Sequence, residues 1–314
     1  MKSKNSIDMK EFALFFFFLL LCVFFSIFAS GFLRPTNLLN VARQVSIIGI
    51  VSVGMTIVIL TGGIDLSVGA IVGVAATGAA FLMINLKLPI ALSAVIGILL
   101  GGAIGLLNGI MVAKFNIPPL ITTLATMTSF RGVSYIITKG IPIYGFDDSF
   151  AILGQGYVGP IPIPVIIMLA VFLLGSLMLG RTRFGRHVYG LGGNEEAARL
   201  AGLDIGKIKL MVFAISGLLA GFAGIVLLSR LMTGAPTLGT GFEMDVITAV
   251  VLGGVSIAGG EGKLRGVIIG VLIMGVLSNG MIIMSLDENY QWLVRGFVLA
   301  LAVGFDRNSK RTRN

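Results

Sequence analysis

The stretch Arg181–Lys209, RTRFGRHVYGLGGNEEAARLAGLDIGKIK, is the longest polar interruption in an otherwise strongly apolar chain. Of the 314 residues, 56% are hydrophobic and only 12% are charged, and the mean hydropathy is +1.02. A soluble protein carries about 25% charged residues. The composition therefore predicts a protein solvated by lipid, with Arg181–Lys209 as its largest segment in water.

Apolar runs lie on both sides of this segment. A helix needs about 20 mainly apolar residues to cross the hydrocarbon core of a bilayer. Ten runs reach or approach this length, at 12–33, 44–61, 67–86, 89–112, 118–138, 163–180, 210–231, 243–258, 266–285 and 290–305. The predicted fold is an all-α integral membrane protein with about ten transmembrane helices.

The basic residues divide unevenly between the two predicted sides of the membrane. Sixteen fall on one side: Lys2, Lys4, Lys10, Lys114, Arg181, Arg183, Arg186, Arg199, Lys207, Lys209, Lys263, Arg265, Arg307, Lys310, Arg311 and Arg313. Five fall on the other: Arg34, Arg43, Lys87, Lys139 and Arg230. Because Lys and Arg concentrate in cytoplasmic loops, both termini and the 181–209 loop are predicted to be cytoplasmic. The net charge of +9 then reflects topology and attraction to anionic lipid, and nucleic acid is not an expected partner.

The first apolar run follows Lys2, Lys4 and Lys10, as the hydrophobic region of a signal peptide does. It is longer than the about 7–15 residues of such a region, and another span follows soon after it. We expect this span to be retained.

An internal repeat is visible in the spans. Three pairs of stretches are alike: Thr56–Val74 with Thr248–Ser256 plus Gly266–Val271, Gly105–Met111 with Gly275–Met281, and Arg131-Gly132 with Arg295-Gly296. We assign the copies to spans 2–5 and 7–10. An offset of five spans is odd, so the two halves would cross the membrane in opposite directions. Inverted repeats of this kind are typical of transporters, whose substrate pathway lies at the repeat interface.

Glycines recur every four residues in two spans. Gly97, Gly101, Gly105 and Gly109 lie in the fourth span, and Gly217 and Gly221 lie in the seventh. Such faces let helix backbones approach closely within a membrane. Packing inside one chain is the favoured interpretation, and a dimer interface is the alternative.

Polar side chains within or beside the spans are candidates for the translocation pathway. Asp65 either caps the third span together with Ser67 or belongs to a re-entrant segment that lines the pathway. Asn108 and Asn279 are expected to form interhelical hydrogen bonds in preference to ligand contacts. The full set of pathway candidates is Thr61, Asp65, Ser67, Asn108, Thr122, Thr126, Ser129 and Asn279.

Arg131 and Arg295 occupy equivalent positions in the two copies of the repeat. A guanidinium facing lipid is costly, so we expect each to reach the membrane surface or to pair with an acid. The candidate partners are Glu243 and Asp245.

No residue pattern supports catalysis or a metal site. The chain has one histidine, His187, and one cysteine, Cys22, which leaves almost no metal-ligand chemistry. The stretch Gly259–Leu264 lacks the upstream glycine and the Ser/Thr of a phosphate-binding loop. The chain is therefore expected not to be an enzyme and to need no cofactor, and another chain must bind any ATP.

A short helix is predicted inside the 181–209 loop. Asn194 is a good N-cap, and Glu195 and Glu196 follow in the first turn, where the helix dipole favours acids. Glu195 and Arg199 form an i,i+4 pair, and Gly202 is placed to end the helix. Ala197, Leu200 and Ala201 form an apolar stripe. A helix this short is not stable alone, so either the protein's own cytoplasmic surface or a partner's groove must hold it.

These residues resemble a known family. Glu196–Gly202 matches the EAA-x3-G motif of ABC-importer permeases, which identifies Asn194, Glu195, Glu196, Ala197, Ala198, Arg199, Leu200 and Gly202 as candidate contacts to an ATPase subunit. Arg183–Ala198, Val53–Gly69 and Ala249–Gly262 are similar to its monosaccharide (ribose-type) branch. The resemblance covers nearly the whole chain. It implies one permease domain, 1–314, with a coupling loop at 181–209, in the cytoplasmic (inner) membrane.

The resemblance also implies partners. These are two cytoplasmic ATP-binding subunits, an extracytoplasmic sugar-binding protein, and a second permease that is either an identical copy or a paralogue. The branch includes permeases for ribose, other pentoses, hexoses and autoinducer-2, so the sugar itself stays open, and branched-chain amino-acid permeases are more distant relatives. The main rival is a carrier driven by an ion gradient, for which Asp65, Glu243 and Asp245 are the candidate ion-site residues.

Overall fold

The computed structural model describes the backbone of residues 9–311, which form thirteen α-helices and one short β-hairpin. The elements are α1 Met9–Phe28, α2 Pro35–Leu60, α3 Val68–Ile84, α4 Ile90–Lys114, α5 Pro119–Thr138, α6 Asp148–Gln155, β1 Tyr157–Val158, β2 Ile161–Pro162, α7 Ile163–Arg181, α8 Arg183–Gly193, α9 Glu195–Leu200, α10 Ile205–Leu231, α11 Phe242–Leu252, α12 Leu264–Ile283 and α13 Glu288–Arg311. The predicted cytoplasmic positions of Lys2, Lys4 and Arg313 fall on residues outside the described range.

Each of the ten predicted spans overlaps one long or medium helix, namely α1 to α5, α7 and α10 to α13. Apolar runs become helices because a helix satisfies every backbone hydrogen bond within its own segment. Several boundaries differ from the prediction by five residues or more, among them the start of α2 and the end of α11. Helix α2 begins at Pro35, because the polar residues before position 44 continue the helix. Helix α11 ends at Leu252, because Gly253 follows it and Gly254 adopts a left-handed φ of 83°.

Three elements were not predicted. Helix α6 and the antiparallel β1–β2 hairpin lie between the fifth and sixth predicted spans. Helix α8 occupies a part of the 181–209 segment that was predicted to be loop, and Thr182 caps it by accepting a hydrogen bond from the Gly185 amide at 3.2 Å. The 181–209 segment therefore holds two consecutive helices, α8 and α9.

The centre of the protein is formed by α2 and α10, which contact each other. Helix α10 also packs against α3 and α4, and α2 packs against α11 and α12. In the same way, α3 contacts α4 and α5, while α11 contacts α12 and α13. If α2, α3, α4 and α5 are matched in order with α10, α11, α12 and α13, most contacts between helices in one half have a counterpart in the other.

One of the quoted sequence matches does not fit this pattern. Thr56–Val74 lies on α2 and α3, but its match lies on α11 and α12. The match of Gly105–Met111 with Gly275–Met281 pairs α4 with α12 instead. Helix α12 can be equivalent to only one helix of the first half. Because α12 contacts α2 as α4 contacts α10, that helix is α4. The Thr56–Val74 match, which pairs α12 with α3, is therefore wrong as part of the repeat.

The glycine faces of α4 and α10 pack against each other inside the chain. A Cβ at Gly101 would lie 2.6 Å from the Gly217 carbonyl oxygen, and one at Gly105 would lie 2.2 Å from the Phe213 carbonyl oxygen. Because glycine has no side chain at these positions, the two helix backbones approach each other closely. This confirms intramolecular packing as the role of these glycines.

Five helices among the described residues are long and apolar enough to cross a membrane, namely α2, α4, α7, α10 and α12. Large apolar side chains are exposed on the outer helices, including Phe16 on α1, Leu99 on α4 and Leu174 on α7. Water-soluble proteins rarely expose such continuous apolar surfaces. The protein is an all-α integral membrane protein.

Candidate functional site

The short helix α9 forms as the sequence predicts. Asn194 Oδ1 accepts a hydrogen bond from the Ala197 amide at 2.9 Å, so Asn194 is the N-cap. Glu195 and Glu196 lie in the first turn. Gly202 follows with a left-handed φ of 82°, and the Leu203 amide donates to the Ala198 carbonyl at 3.1 Å. The cap, the acids and the terminating glycine are confirmed.

Two ion pairs lie within α9, and a third joins it to α10. The predicted Glu195–Arg199 pair is present at 3.6 Å, and Glu196 lies 3.9 Å from Arg199. Lys209 on α10, which the sequence did not indicate as a partner, donates to both Glu195 carboxylate oxygens at 2.9 Å. Glu195 therefore connects α9 to the first turns of a central helix.

The outer face of α9 is exposed. Leu200 is 82% exposed, and Ala197 and Ala201 are also at the surface, whereas Ala198 is buried against the protein. The described part of the chain thus holds α9 through Ala198 and leaves the predicted apolar stripe uncovered. An exposed leucine close to the exposed Glu196 is suited to contact with another protein.

Helix α8 joins this region to α2 through close backbone contacts. The Gly260 amide donates to the Leu60 carbonyl at 2.9 Å, and a Cβ at Gly192 would lie 1.7 Å from that carbonyl oxygen. The Tyr189 hydroxyl donates to the Gly262 carbonyl at 2.9 Å. Burial raises the pKa of the Tyr189 phenol, so the group keeps its proton and remains a donor. The glycines of 259–262 thus serve packing against α8.

Asp65 is the centre of a fully buried polar network. Its Oδ1 accepts from the Ser67 amide at 3.0 Å and from the Ser67 hydroxyl, and its Oδ2 accepts from the Ser216 hydroxyl at 2.9 Å. Asn108 Nδ2 donates to Ser67 Oγ at 2.8 Å. The network joins the start of α3 to α4 and α10. Asn108 therefore forms the expected interhelical hydrogen bond. The predicted cap of the third span is wrong: Ser67 is the N-cap residue of α3, but its side chain accepts no amide of that helix, and Asp65 accepts only the amide of Ser67 itself.

The other pathway candidates lie outside this hydrogen-bonded network. Asn279 exchanges two hydrogen bonds of 2.9 Å with Asn37, and the Thr61 hydroxyl donates to the Val58 carbonyl at 2.7 Å. On α5, Thr122 and Thr126 are buried and Ser129 is exposed. Hydrogen bonds join Asp65, Ser67 and Asn108 in one group, and the Thr126 hydroxyl donates to the Thr122 carbonyl at 3.2 Å, so the eight candidates do not form one connected site.

A cavity of about 310 Å³ lies between α5, α11 and α13. Its lining residues are Arg131, Thr240, Gly241, Glu243, Met244, Trp292, Arg295, Gly296 and Leu299. Arg131 Nη2 lies 3.7 Å from Glu243 Oε2, and Arg295 Nη1 lies 3.3 Å from Asp245 Oδ2. The predicted pairing of the two arginines with these acids is confirmed. The cavity itself was not predicted, and the only signal near it was the equivalence of Arg131 and Arg295 in the repeat.

The geometry defines a class of protein. Apolar helices enclose buried polar groups, and a capped helix with an exposed apolar face lies on a basic loop between the two halves. These are the features of a transport subunit that another protein contacts. The comparisons agree with this, since residues 37–303 match the family model "Branched-chain amino acid transport system / permease component". The chain belongs to this family of ABC-importer permeases, and it is a multi-pass protein of the cytoplasmic membrane.

Relatives match almost the full length of the chain. The ribose import permease protein RbsC of Bacillus subtilis is 43% identical over 92% of this chain and 90% of its own length. The Escherichia coli K12 protein of the same name is 42% identical over 93% of this chain and 92% of its own. The L-arabinose transport system permease protein AraH of Escherichia coli K12 is 38% identical over 94% and 90%. No solved structure matches the chain.

Proposed function

We propose that this permease carries a monosaccharide, ribose or a closely related sugar, inward across the cytoplasmic membrane in an ATP-driven importer. An extracytoplasmic binding protein delivers the sugar, and two cytoplasmic ATP-binding subunits supply the energy. The observation that carries the proposal is α9, a capped helix whose Leu200 is 82% exposed beside Glu195 and Glu196. The names of the relatives support the choice of sugar.

The proposed topology has ten spans, both termini in the cytoplasm and the 181–209 segment as the coupling loop of one permease domain. It is supported by the uneven distribution of basic residues and by the overlap of each predicted span with one helix. The preserved contact pattern between α2–α5 and α10–α13 supports the inverted repeat. With one permease on each ATP-binding subunit, two permeases would form the pathway, either identical copies or paralogues.

We propose that α9 sits in a groove of the ATP-binding subunit and passes its movement on by two routes. The Glu195–Lys209 pair leads to α10. The contacts of α8 with Leu60 and Gly260 lead to α2. Because α2 and α10 contact each other at the centre, closure of the ATP-binding subunits would turn both halves together and change the side from which the pathway is open.

The coupling role is tested by co-purification with the ATP-binding subunits and by the ATP hydrolysis that the loaded binding protein stimulates. Glu196→Lys reverses an exposed charge, and Gly202→Pro cannot adopt the left-handed φ of 82° that ends α9. We expect both variants to insert in the membrane but to lose stimulated ATP hydrolysis. Lys207→Ala, at an exposed position on the same loop, is the matched control and should behave as wild type. Normal coupling in both variants would exclude this role for α9.

A further inference from the structure

We infer that the cavity between α5, α11 and α13 is where the transported sugar makes its contacts within the membrane. This inference rests on the proposed function, since it assigns that function's substrate to a place. The cavity volume of about 310 Å³ lies at the lower end of the roughly 300–1,000 Å³ typical of small-molecule sites. None of its lining residues is among the eight pathway candidates from the sequence.

The charged groups at the cavity have unused hydrogen-bonding capacity. Among the described residues, Glu243 Oε2 and Asp245 Oδ1 accept no hydrogen bond, and Arg131 Nη2 and Arg295 Nε donate none. Both carboxylates are deeply buried, with side chains only 7% and 8% exposed. Buried polar atoms are normally hydrogen-bonded, so groups left open beside a cavity indicate a ligand.

The available groups match the chemistry of a sugar. A hydroxyl both donates and accepts, so neighbouring sugar hydroxyls need acceptors and donors close together. Glu243 offers an acceptor beside the donors of Arg131. Arg295 offers further donors, and its ion pair with Asp245 holds the guanidinium in place. The two arginines and two acids carry no net charge in sum. This balance suits an uncharged solute and does not favour an ion of either sign.

Trp292 adds a flat apolar surface to the cavity. Its side chain is 54% exposed while it lines the same space as Arg131 and Glu243. A sugar ring presents C–H groups on its faces and hydroxyls around its edge. An aromatic plane with hydrogen-bonding groups around it is therefore complementary to such a ring, and small-molecule sites combine these features.

The position of the cavity also fits a pathway. Glu243 lies in the first turn of α11, and a Cβ at Gly69 in the first turn of α3 would lie 2.1 Å from Glu243 Oε2. The starts of two helices, one from each half, therefore meet beside the cavity. Transporter sites typically lie where broken helices from two repeats meet near the centre of the membrane. Helix α11, with 11 residues, is too short to cross the bilayer and so begins or ends within it.

The competing explanation is structural, in which the two ion pairs only hold α5 and α13 against α11. A charge exchange separates the two roles. In a permease carrying both Arg131→Glu and Glu243→Arg, an ion pair between α5 and α11 is restored, but donors and acceptors change places around the cavity. A purely structural pair would recover function in the double variant, whereas a sugar site would not.

The experiment uses the complete importer, reconstituted in lipid vesicles with its ATP-binding subunits and binding protein. Uptake of radiolabelled ribose and arabinose is measured separately, together with basal ATP hydrolysis and subunit association. We expect the exchange variant and Glu243→Gln to assemble with the other subunits but to lose about tenfold or more in uptake, the effect of one or more charged hydrogen bonds. Their ratio of ribose to arabinose uptake should also change.

Trp292 provides a variant that does not depend on the ion pairs. Because its side chain is half exposed, Trp292→Ala should leave folding intact and reduce uptake, while Trp292→Phe retains a ring and much of the rate. Wild-type uptake with an unchanged sugar ratio in the exchange, Gln and Ala variants would overturn the inference. If the wild-type importer itself moves neither sugar, the proposed function fails instead.

Discussion

Asp65 shows what a single residue contributes to this protein. Its carboxylate accepts hydrogen bonds from Ser67 and Ser216 and is fully buried. The sequence predicted that Asp65 or Ser67 caps the third span, but the carboxylate accepts the amide of Ser67, which precedes α3, and no amide of the helix. The link to Ser216 could not be predicted, because it depends on how α10 packs against α3, and nothing near position 216 in the sequence marks that contact.

Replacing Asp65 with alanine should therefore weaken the fold. The change leaves the Ser67 and Ser216 hydroxyls buried without their acceptor, and each orphaned group costs about 1–3 kcal/mol of unfolding free energy. Thermal unfolding of the detergent-solubilised permease measures this loss. Ser129→Ala is the control, since that side chain is exposed on α5. Equal unfolding temperatures for Asp65→Ala and wild type would show that the network does not stabilise the protein.

At the scale of the element, α9 was predictable and α8 was not. Helix α9 carries its own signals, because Asn194, the two glutamates and Gly202 each act on the adjacent backbone. Helix α8 ends in a glycine-rich sequence that normally disfavours helix. Gly192 is required instead by a contact distant in sequence, with the Leu60 carbonyl and the Gly260 amide, and only the folded chain reveals this.

A substitution in α8 tests whether these contacts matter. A methyl group at Gly192 would collide with the Leu60 carbonyl and the Gly260 amide, whereas one at Gly193 would meet open space. We expect Gly192→Ala to displace α8, at a cost of about 1–3 kcal/mol typical of overpacking, and to reduce sugar uptake strongly. Gly193→Ala should leave both stability and uptake unchanged. Melting temperature and vesicle uptake measure the two effects, and similar behaviour of the pair would argue against the close contact.

At the scale of the whole molecule, hydropathy predicted the ten apolar helices well, because it depends only on composition along the chain. The side of the membrane that the charge distribution assigns to each loop stays a prediction. The equivalence of Arg131 and Arg295, with acids nearby, also predicted two ion pairs that the structure contains. The cavity that they line could not be predicted. It exists because α5, α11 and α13 leave a space between them, which is a property of packing.

The central claim is that this permease works through an ATP-binding partner held by α9. The most direct measurement is sugar uptake into vesicles that contain the complete importer, with and without ATP and with an ionophore that dissipates ion gradients. Uptake should require ATP, persist with the ionophore, and be lost in Leu200→Glu, which places a charge on the exposed apolar face of α9. Two results would contradict the claim: uptake that continues without ATP, or uptake that continues in Leu200→Glu. If such uptake also collapses with the ionophore, the protein is a gradient-driven carrier.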